Sequence, residues 1–363
     1  MANVTRHINA TAGGSAYEIL IGGGILREAF LRKELSPFER IAVIAGSRVY
    51  ELHRAYIEEA LDVIRGRCRL IFFDDSEENK SYAYAGRFLE KFIEYGLNRK
   101  SAVIGIGGGV VGDFTGYCAG LFMRGIPVIH VPTTLLAMVD SSIGGKAAVN
   151  LSVGKNIAGV FRQPRMVVSD TLFLGTLPDG ELRNGLTEAL KHGLIGEPTT
   201  LGILQGNSME TIRREEVINR LVALSASFKA GIVEKDERES GLRAILNFGH
   251  TVGHAIESFM EYRGISHGGA VAAGIRVKME AMRRMGLVSD GDAVRVGSLI
   301  DRYGLAERTP GLDIDGVIDH MAYDKKNFGG AVNFVLLDGL GKPKINQQIP
   351  ADLLKEVMSE TLT

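Results

Sequence analysis

Short runs of apolar residues recur through the first half of the chain, at 41–46, 69–73, 101–107, 127–132 and 165–170. Each run is unalternating and mostly β-branched or aliphatic, which is typical of strands buried on both faces of a parallel sheet. Residues 77–96 place Tyr84, Phe88 and Phe92 near helical spacing, and Gly96 is a plausible C-cap. The pattern therefore predicts β-α-β units.

The pattern of hydrophobic and polar residues changes near Pro178. Long amphipathic segments then follow one another with few strand candidates, at 179–196, 211–235, 250–262 and 268–286. We therefore predict an α/β N-terminal domain over residues 1–177, with a mostly parallel, Rossmann-like sheet, and a mainly α-helical domain over 178–363. The apolar run at 333–338 predicts a further strand, but the sequence does not indicate which strand it pairs with.

Composition and charge narrow the class of protein. The 363 residues suggest two domains or one large one, at about 150 residues per domain. With 42 basic and 43 acidic side chains, the chain has no bulk charge to drive binding to nucleic acid or acidic membranes. Cys68 and Cys118 lack CxxC spacing, and no segment resembles a signal peptide or a membrane span. We expect a cytoplasmic protein without nucleic-acid or membrane partners.

A glycine-rich turn follows the predicted strand at 101–107. Gly107, Gly109 and Gly112 satisfy the G-x-G-x-x-G spacing ahead of a possible helix, where backbone N–H groups can bind a pyrophosphate. The turn departs from the dinucleotide fingerprint because it follows a third strand and lacks an acidic strand end about twenty residues later. A tight strand-to-helix turn with no ligand is the alternative on this motif alone.

A second group of polar residues lies on glycine-punctuated loops downstream. Lysine ammonium groups and loop amides suit an anion such as phosphate. Ordinary surface solvation is the alternative for a lone lysine, but two lysines among so many glycines favour an anion site. The residues are Thr133, Thr134, Asp140, Lys146, Lys155 and Asn156.

Histidines and a carboxylate in the helical half suggest a metal. Glu188 and Lys191 share a helix face, His250 and His254 lie one turn apart, and His267 follows. This set suits a divalent ion such as zinc with three protein ligands and an open coordination position. Several choices of three are possible: both residues of the His-x3-His pair could be ligands, or one could act as acid, base or hydrogen-bonding partner.

Five segments together resemble 3-dehydroquinate synthases: GGGVVGDFTGYCAG, RGIPVIHVPTTLLAMVDSSIGGKAAVN, GKNIAGVF, LTEALKHG and GLRAILNFGHTVGHAIE. The recognisable blocks run from about residue 75 to residue 326. The resemblance implies an N-terminal α/β domain that binds NAD, a helical domain that holds zinc or cobalt, and an active site in the cleft between them. It also implies a homodimer.

The implied activity is that of a carbon–oxygen lyase acting on a phosphate. It converts 3-deoxy-D-arabino-heptulosonate 7-phosphate to 3-dehydroquinate and phosphate, within the shikimate pathway to chorismate and aromatic amino acids. The steps are transient oxidation by NAD, β-elimination of phosphate, re-reduction and intramolecular aldol closure.

The resemblance also implies residue roles. The metal ligands are Glu188, His250 and His267, and His254 is either a catalytic histidine or one that hydrogen-bonds to a metal ligand. NAD contacts are expected from Asp75, Glu77, Lys80, Gly109, Val110, Val111, Gly112, Asp113, Thr133, Thr134, Lys146, Lys155, Phe173 and Thr176. Substrate contacts are expected from Asp140, Lys146, Asn156, Lys191, Lys229, Arg243, Asn247 and Lys325. Arg124 resembles the arginine that family members lend to the partner's phosphate site.

One position departs from the family pattern. Family members often have glutamate two residues after the last metal ligand, where this chain has Gly269. We expect the effect to be confined to helix support or hydrogen bonding near the metal. The rival interpretations are another sugar phosphate cyclase, a metal-dependent polyol or alcohol dehydrogenase that releases NADH, and a non-catalytic NAD-sensing module.

Overall fold

A computed structural model describes residues 6–307, 309, 311–326 and 332–362, with side chains of 322–326 left out. The chain divides into two compact units. The first comprises residues 1–178 and 213–237, and the second comprises residues 179–212 and 238–363. Among the described residues, no helix is long and apolar enough to cross a membrane.

The first unit is built on a seven-stranded sheet. The strands of the chain are β1 (Arg6–Ala12), β2 (Ser15–Gly22), β3 (Ile41–Gly46), β4 (Cys68–Phe73), β5 (Ala102–Gly107), β6 (Val128–Pro132), β7 (Lys146–Leu151), β8 (Gly154–Phe161), β9 (Met166–Asp170), β10 (Phe334–Leu337) and β11 (Pro343–Gln347). The sheet has the order β1-β2-β9-β6-β5-β3-β4, and every neighbouring pair except β1 and β2 is parallel. The prediction of a mostly parallel, Rossmann-like sheet is confirmed.

Helices cover the sheet and make up most of the second unit. They are α1 (Leu26–Phe30), α2 (Ser47–Asp62), α3 (Tyr82–Glu94), α4 (Gly109–Leu121), α5 (Asp179–Ile195), α6 (Pro198–Gly206), α7 (Glu215–Lys235), α8 (His250–Phe259), α9 (His267–Arg284), α10 (Asp290–Tyr303), α11 (Ile314–Lys326) and α12 (Ala351–Leu362).

Both faces of the central strands are buried. Val43 and Ala45 of β3 belong to an apolar core shared with α1 and α2. Their neighbours Ala42 and Ile44 point to the opposite face and join a core with α3 and α4. Because successive side chains of a strand alternate between faces, burial on both sides requires an unbroken apolar run. This requirement explains the sequence pattern of the predicted strands.

Local signals set the bounds of α3. The Ser81 hydroxyl accepts a hydrogen bond from the Tyr84 amide at the amino end. At the carboxyl end, Gly96 has φ +70° and its N–H donates to the Ile93 carbonyl, while Leu97 donates to Phe92. These two bonds form a Schellman motif, in which glycine is favoured because the left-handed conformation crowds a Cβ.

Two hairpins were not anticipated from the sequence. β1 and β2 form an antiparallel pair, and β2 then joins the parallel sheet through β9. β7 and β8 form a second antiparallel pair in the stretch interpreted above as glycine-punctuated loops. Exposed or half-buried residues interrupt β1, β7 and β8, so the pattern that reveals doubly buried strands does not mark them.

The helix α7 lies with the first unit, although the sequence division into 1–177 and 178–363 places it in the helical part. It packs on β1, β2 and the turn at 137–141, burying apolar residues such as Ile218, Leu221 and Val222. The chain therefore leaves the first unit after Pro178 and returns to it at Arg213.

In the second unit, α9 is the central helix, with α5, α8, α10 and α12 packed against it. Its buried positions are mostly small or slender side chains, among them Ala270, Ala273 and Gly274, which let neighbouring helices approach closely. A Cβ at Gly274 would lie 2.1 Å from the Gly249 carbonyl oxygen, so this contact requires glycine. The late strand predicted at 333–338 is β10, which pairs with β11 in a separate two-stranded sheet.

Candidate functional site

The strand order of the first unit defines a topological switch point at the carboxyl ends of β3 and β5. β4 lies on one side of β3 and β5 lies on the other, so the winding reverses between β3 and β5. Open α/β sheets bind ligands outside the carboxyl ends of the strands at such a switch point. Gly46 ends β3 and Gly107 ends β5 at this place. A Cβ at Gly107 would lie 2.5 Å from Val111 Cγ2, so the tight entry into α4 needs glycine.

The predicted pyrophosphate turn forms the amino end of α4. The predicted residues 109–113, namely Gly109, Val110, Val111, Gly112 and Asp113, occupy its first turn. The preceding Gly108 has no side chain to cap the helix, so first-turn N–H groups can bind an anion. Thr133 and Thr134 follow β6 beside this turn, and Thr134 Cγ2 lies 3.0 Å from the position of a Cβ at Gly108.

Lys80 is a buried cation at the centre of a polar group in the first unit. Its Nζ lies 2.6 Å from Asp113 Oδ2 and 2.5 Å from Asn156 Oδ1. The lysine side chain is 5% exposed and the aspartate side chain 21%. Lys80 therefore ties α4 to β8. Asn156 itself has φ +56°, a conformation that asparagine tolerates better than most residues.

Asn150 of β7 was not singled out from the sequence. Its amide donates to Glu77 Oε1 at 2.7 Å, and its Oδ1 accepts from the Asn156 N–H at 2.9 Å. The segment after β4 is thereby fastened to the β7–β8 hairpin. Asparagine in a predicted loop is common, so only its partners reveal this role. Asp75, in the same segment, has its Oδ2 3.0 Å from the place of a Cβ at Gly46.

The remaining predicted NAD contacts differ in exposure. Phe173 is buried and packs edge-on against His53 and Tyr56. Thr176 is exposed, and its Oγ1 lies 2.7 Å from His53 Nε2. Lys146 and Lys155 are exposed on β7 and β8.

Asp140 and Lys229 form an ion pair within the first unit. Lys229 Nζ, on α7, lies 2.7 Å from Asp140 Oδ1 and donates to the Asp140 carbonyl at 2.6 Å. Asp140 lies in a π-helical turn at Ala137–Ser141. The return of α7 to the first unit therefore brings together two predicted substrate residues that are 89 positions apart. Arg124 is exposed after α4, with φ +70°.

A carboxylate and two imidazoles meet in the second unit. Glu188 is supplied by α5, His250 begins α8, and His267 begins α9. One ligand atom from each lies within 4.8 Å of the other two. His250 Nε2 is 3.6 Å and His267 Nε2 is 4.0 Å from Glu188 Oε1.

The surroundings of Glu188 fit a divalent ion. The residue is fully buried, and among the described residues neither carboxylate oxygen accepts a well-formed hydrogen bond. A close charged neighbour is Lys191, which lies one turn along α5 and forms an ion pair with Glu188 Oε2. A buried carboxylate left with unused lone pairs beside two imidazoles is the donor set that zinc and cobalt accept.

His254 and Glu257 flank this group on α8. The ring of His254 lies 5.2 Å from that of His250 and 5.9 Å from that of His267, measured between centroids. Glu257, which sequence reasoning missed, has Oε2 3.3 Å from His267 Nδ1. Burial lowers the pKa of His267, but hydrogen bonding and charge from Glu257, together with the Glu188 charge, outweigh it and raise that pKa. Glu257 lies seven positions after His250, a helical spacing that could have signalled it.

Arg243 and Asn247 lie in the turn that precedes α8. Arg243 is buried, and the Asn247 amide donates to Glu239 Oε1 at 2.6 Å. Glu239 was not predicted and has φ +59°. Lys325 is in α11, but its side chain lies outside the described residues. The predicted substrate residues are thus divided between the two units.

These features define a class of protein in which a Rossmann-like sheet with a glycine-rich turn at its switch point is joined to a helical unit with a Glu-His-His metal cluster. Family models described as 3-dehydroquinate synthase N-terminal and C-terminal match residues 70–184 and 185–327. The 3-dehydroquinate synthase of Nitrosospira multiformis is 39% identical over 361 residues, covering 99% of each chain. The chain belongs to the 3-dehydroquinate synthase family.

Solved structures of related cyclases share the fold. A 2-deoxy-scyllo-inosose synthase, solved with carbaglucose-6-phosphate, NAD+ and Co2+, is 29% identical, with a TM-score of 0.87 over 98% of this chain and all of that one. The 2-epi-5-epi-valiolone synthase of Streptomyces hygroscopicus, solved with NAD+ and Zn2+, is 21% identical, with a TM-score of 0.86 over 97% of this chain and 98% of that one. The second likeness shows the fold alone.

Proposed function

We propose that the protein is a lyase that converts 3-deoxy-D-arabino-heptulosonate 7-phosphate to 3-dehydroquinate and phosphate. The reaction comprises transient oxidation, β-elimination of phosphate, reduction and ring closure, with no net consumption of NAD. Membership of the family supports this activity. The observation on which it rests most is the Glu188, His250 and His267 cluster, because an NAD-dependent oxidation of a sugar hydroxyl needs a site that stabilises developing charge.

The cluster supports zinc or cobalt as the resident metal, as in the related cyclases. Glu188, His250 and His267 would hold the ion with one neutralising carboxylate and leave a position open for substrate. Such an ion would supply the charge that polarises a substrate hydroxyl, and NAD would supply the reversible hydride acceptor. Glu257 holds His267 through Nδ1, which leaves Nε2 free to face the metal position.

The first unit supports NAD as the other cofactor. The N–H groups at the start of α4 would receive the pyrophosphate, as helix amino ends do. Asp75, whose carboxylate lies beside the end of β3, would accept a hydrogen bond from a ribose hydroxyl. Lys80 neutralises Asp113 and fixes this turn against β8, so its effect on NAD is chiefly to hold the helix end in place.

The side chains proposed to handle substrate are polar groups held in fixed positions. Lys229 is anchored by Asp140 and Asn247 by Glu239. Anchoring removes rotamer freedom before substrate arrives, so less entropy is lost on binding. His254 is exposed beside His250, where its imidazole could exchange a proton with substrate. The ammonium groups of the lysines and the guanidinium group of Arg243 would bind the phosphate and carboxylate groups of the substrate.

The direct test is to incubate metal-replete protein with the heptulosonate phosphate and NAD. Phosphate and 3-dehydroquinate should appear in equal amounts, without steady growth of NADH absorbance. His250→Ala should lose both zinc and turnover. Accumulating NADH would indicate a dehydrogenase, and full zinc content and turnover in His250→Ala would contradict the ligand set.

Another sugar phosphate cyclase is the second candidate, because a 2-deoxy-scyllo-inosose synthase has the same fold at 29% identity. The two candidate functions differ in whether the substrate carries a carboxylate, which Arg243 and Asn247 would bind. Release of phosphate without formation of dehydroquinate would favour this alternative. Arg243→Met should then leave turnover of a carboxylate-free sugar phosphate unchanged.

We further propose a homodimer in which Arg124 serves the partner's phosphate site. Positive φ angles occur at three consecutive residues, Met123, Arg124 and Gly125. Backbone strain of this kind in non-glycine residues is found most often at functional sites. Met123, Ile157 and Phe161 are exposed apolar side chains of the same unit, which a second copy could cover. Sedimentation velocity should give twice the monomer mass, and Arg124→Ala should lower turnover while leaving that mass unchanged.

A further inference from the structure

The helix that carries the last metal ligand begins with an incomplete local cap. Ser266 is the N-cap of α9, and its hydroxyl accepts from the Gly269 N–H at 3.1 Å. In a capping box, a glutamate or glutamine at this third helical position reaches back to the N–H of the N-cap residue. Gly269 occupies the position here and has no side chain to do so. The Ser266 N–H therefore needs an acceptor from elsewhere.

Glu307, in the segment after α10, supplies that acceptor. The Ser266 N–H lies 3.3 Å from each Glu307 carboxylate oxygen. The Ser266 hydroxyl also donates to Glu307 Oε1 at 2.6 Å. A Cβ at Gly269 would lie 2.8 Å from Oε1 and 2.9 Å from Cδ of Glu307. Gly269 thus leaves room for a carboxylate that is 38 positions away in the chain, and the two residues form one arrangement.

The cap bears directly on His267, which is the next residue after Ser266. On its other side, the Gly268 N–H donates to Asn184 Oδ1 at 3.1 Å. Asn184 lies on α5 one turn before Glu188, and a Cβ at Gly268 would lie 2.4 Å from its Cα. The backbone on both sides of His267 is therefore held, once by α5 and once by Glu307.

We propose that Glu307 is a positioning residue for metal binding: it completes the α9 cap from outside the helix and fixes His267 facing Glu188. The negative charge also suits the amino end of a helix. This inference rests on the proposed metal site. It concerns the orientation of a ligand, so metal affinity and backbone exchange measure it without turnover.

The test compares the full-length, metal-free wild-type protein with Glu307→Ala, using Glu210→Ala as a control at an exposed glutamate of the same unit. Zinc affinity is measured by competition with a chromophoric chelator, and amide exchange is followed by mass spectrometry across residues 264–270. Glu307→Ala should bind zinc about three- to tenfold more weakly and exchange faster in this segment, the range expected for loss of a helix cap. Glu210→Ala should match the wild type in both.

A rescue variant makes the test specific. Gly269→Glu combined with Glu307→Ala places a glutamate at the third helical position and removes its competitor, so a local capping box can form. Zinc affinity should return to within about twofold of the wild type. Glu307→Gln keeps an oxygen acceptor for the Ser266 N–H and should lie between the wild type and Glu307→Ala, which covers the case in which the alanine variant fails to fold.

Unchanged zinc affinity in Glu307→Ala and Glu307→Gln would overturn the inference, even with faster exchange at the cap. Failure of the rescue variant to recover affinity would also count against it. Absence of zinc binding by the wild-type protein would instead overturn the proposed metal site.

Discussion

The ion pair between Glu188 and Lys191 offers a test of the metal site through stability alone. Glu188→Gln removes the buried negative charge and leaves Lys191, whose side chain is 2% exposed, without its partner. Lys191→Met does the reverse and leaves the fully buried Glu188 carboxylate without its cationic partner, beside the imidazoles of His250 and His267. In the metal-free protein both changes should lower the free energy of unfolding by about 3 kcal/mol or more, the cost of breaking a buried pair on one side.

Zinc should separate the two variants. In Lys191→Met the three ligands remain and a cation that repels the metal is gone, so zinc should bind more tightly than to the wild type. In Glu188→Gln the one anionic ligand is lost while the Lys191 charge stays, so zinc should bind more weakly. Zinc at 100 times its dissociation constant stabilises a folded protein by about 2.7 kcal/mol. We therefore expect it to offset most of the Lys191→Met loss and little of the Glu188→Gln loss.

The assay is urea unfolding of each full-length variant, in chelator and in excess zinc. Circular dichroism of the folded baseline shows whether each variant retains its helices. Equal recovery of both variants with zinc would refute the reasoning, because it would mean that the ion does not use the Glu188 charge.

Three further predictions concern other groups. Glu257→Gln should weaken zinc binding by about 10- to 100-fold, the usual cost of losing a partner of a ligating histidine, measured by chelator competition. Lys80→Met should weaken NAD binding by at least about tenfold in calorimetry because Asp113 loses its buried cation, and unaltered affinity would contradict the role given to Lys80. Burial lowers the pKa of His130 to about 4 from 6.5, so the unfolded chain takes up a proton first as the pH falls. As the pH falls from 6.5 to about 4, protonation of His130 in the unfolded chain should lower the free energy of unfolding by up to about 3 kcal/mol. Urea unfolding at several pH values measures this loss, and in His130→Leu the loss should be smaller by that amount.

Much of the architecture was predictable because it depends on local patterns. The unbroken apolar runs at 41–46 and 101–107 became the doubly buried strands β3 and β5. The hydrophobic pattern changes near Pro178, where the chain first leaves the first unit. Residue types and spacing indicated a metal site among Glu188, His250, His254 and His267, and the family resemblance implied the set Glu188, His250 and His267. The structure brings one ligand atom from each of these three within 4.8 Å of the others.

Other features depend on partners far away in the chain. The amphipathic pattern of α7 shows that one face is buried but does not say against what, and it packs on β1 and β2 in the first unit. Glu239 and Asn150 sit in segments that look like ordinary polar loops, and only their contacts with Asn247 and Glu77 distinguish them.

The sequence by itself determined the doubly buried strands, the long amphipathic helices and the chemical types of the candidate metal ligands, because periodicity and residue spacing act over one or two turns. Tertiary structure alone decided that Glu257 holds His267 and that Glu307 fills the space beside Gly269. A carboxylate can satisfy a distant backbone amide only after the intervening helices have packed. These two pairings therefore depend on distances in the folded protein, and no local sequence pattern predicts them.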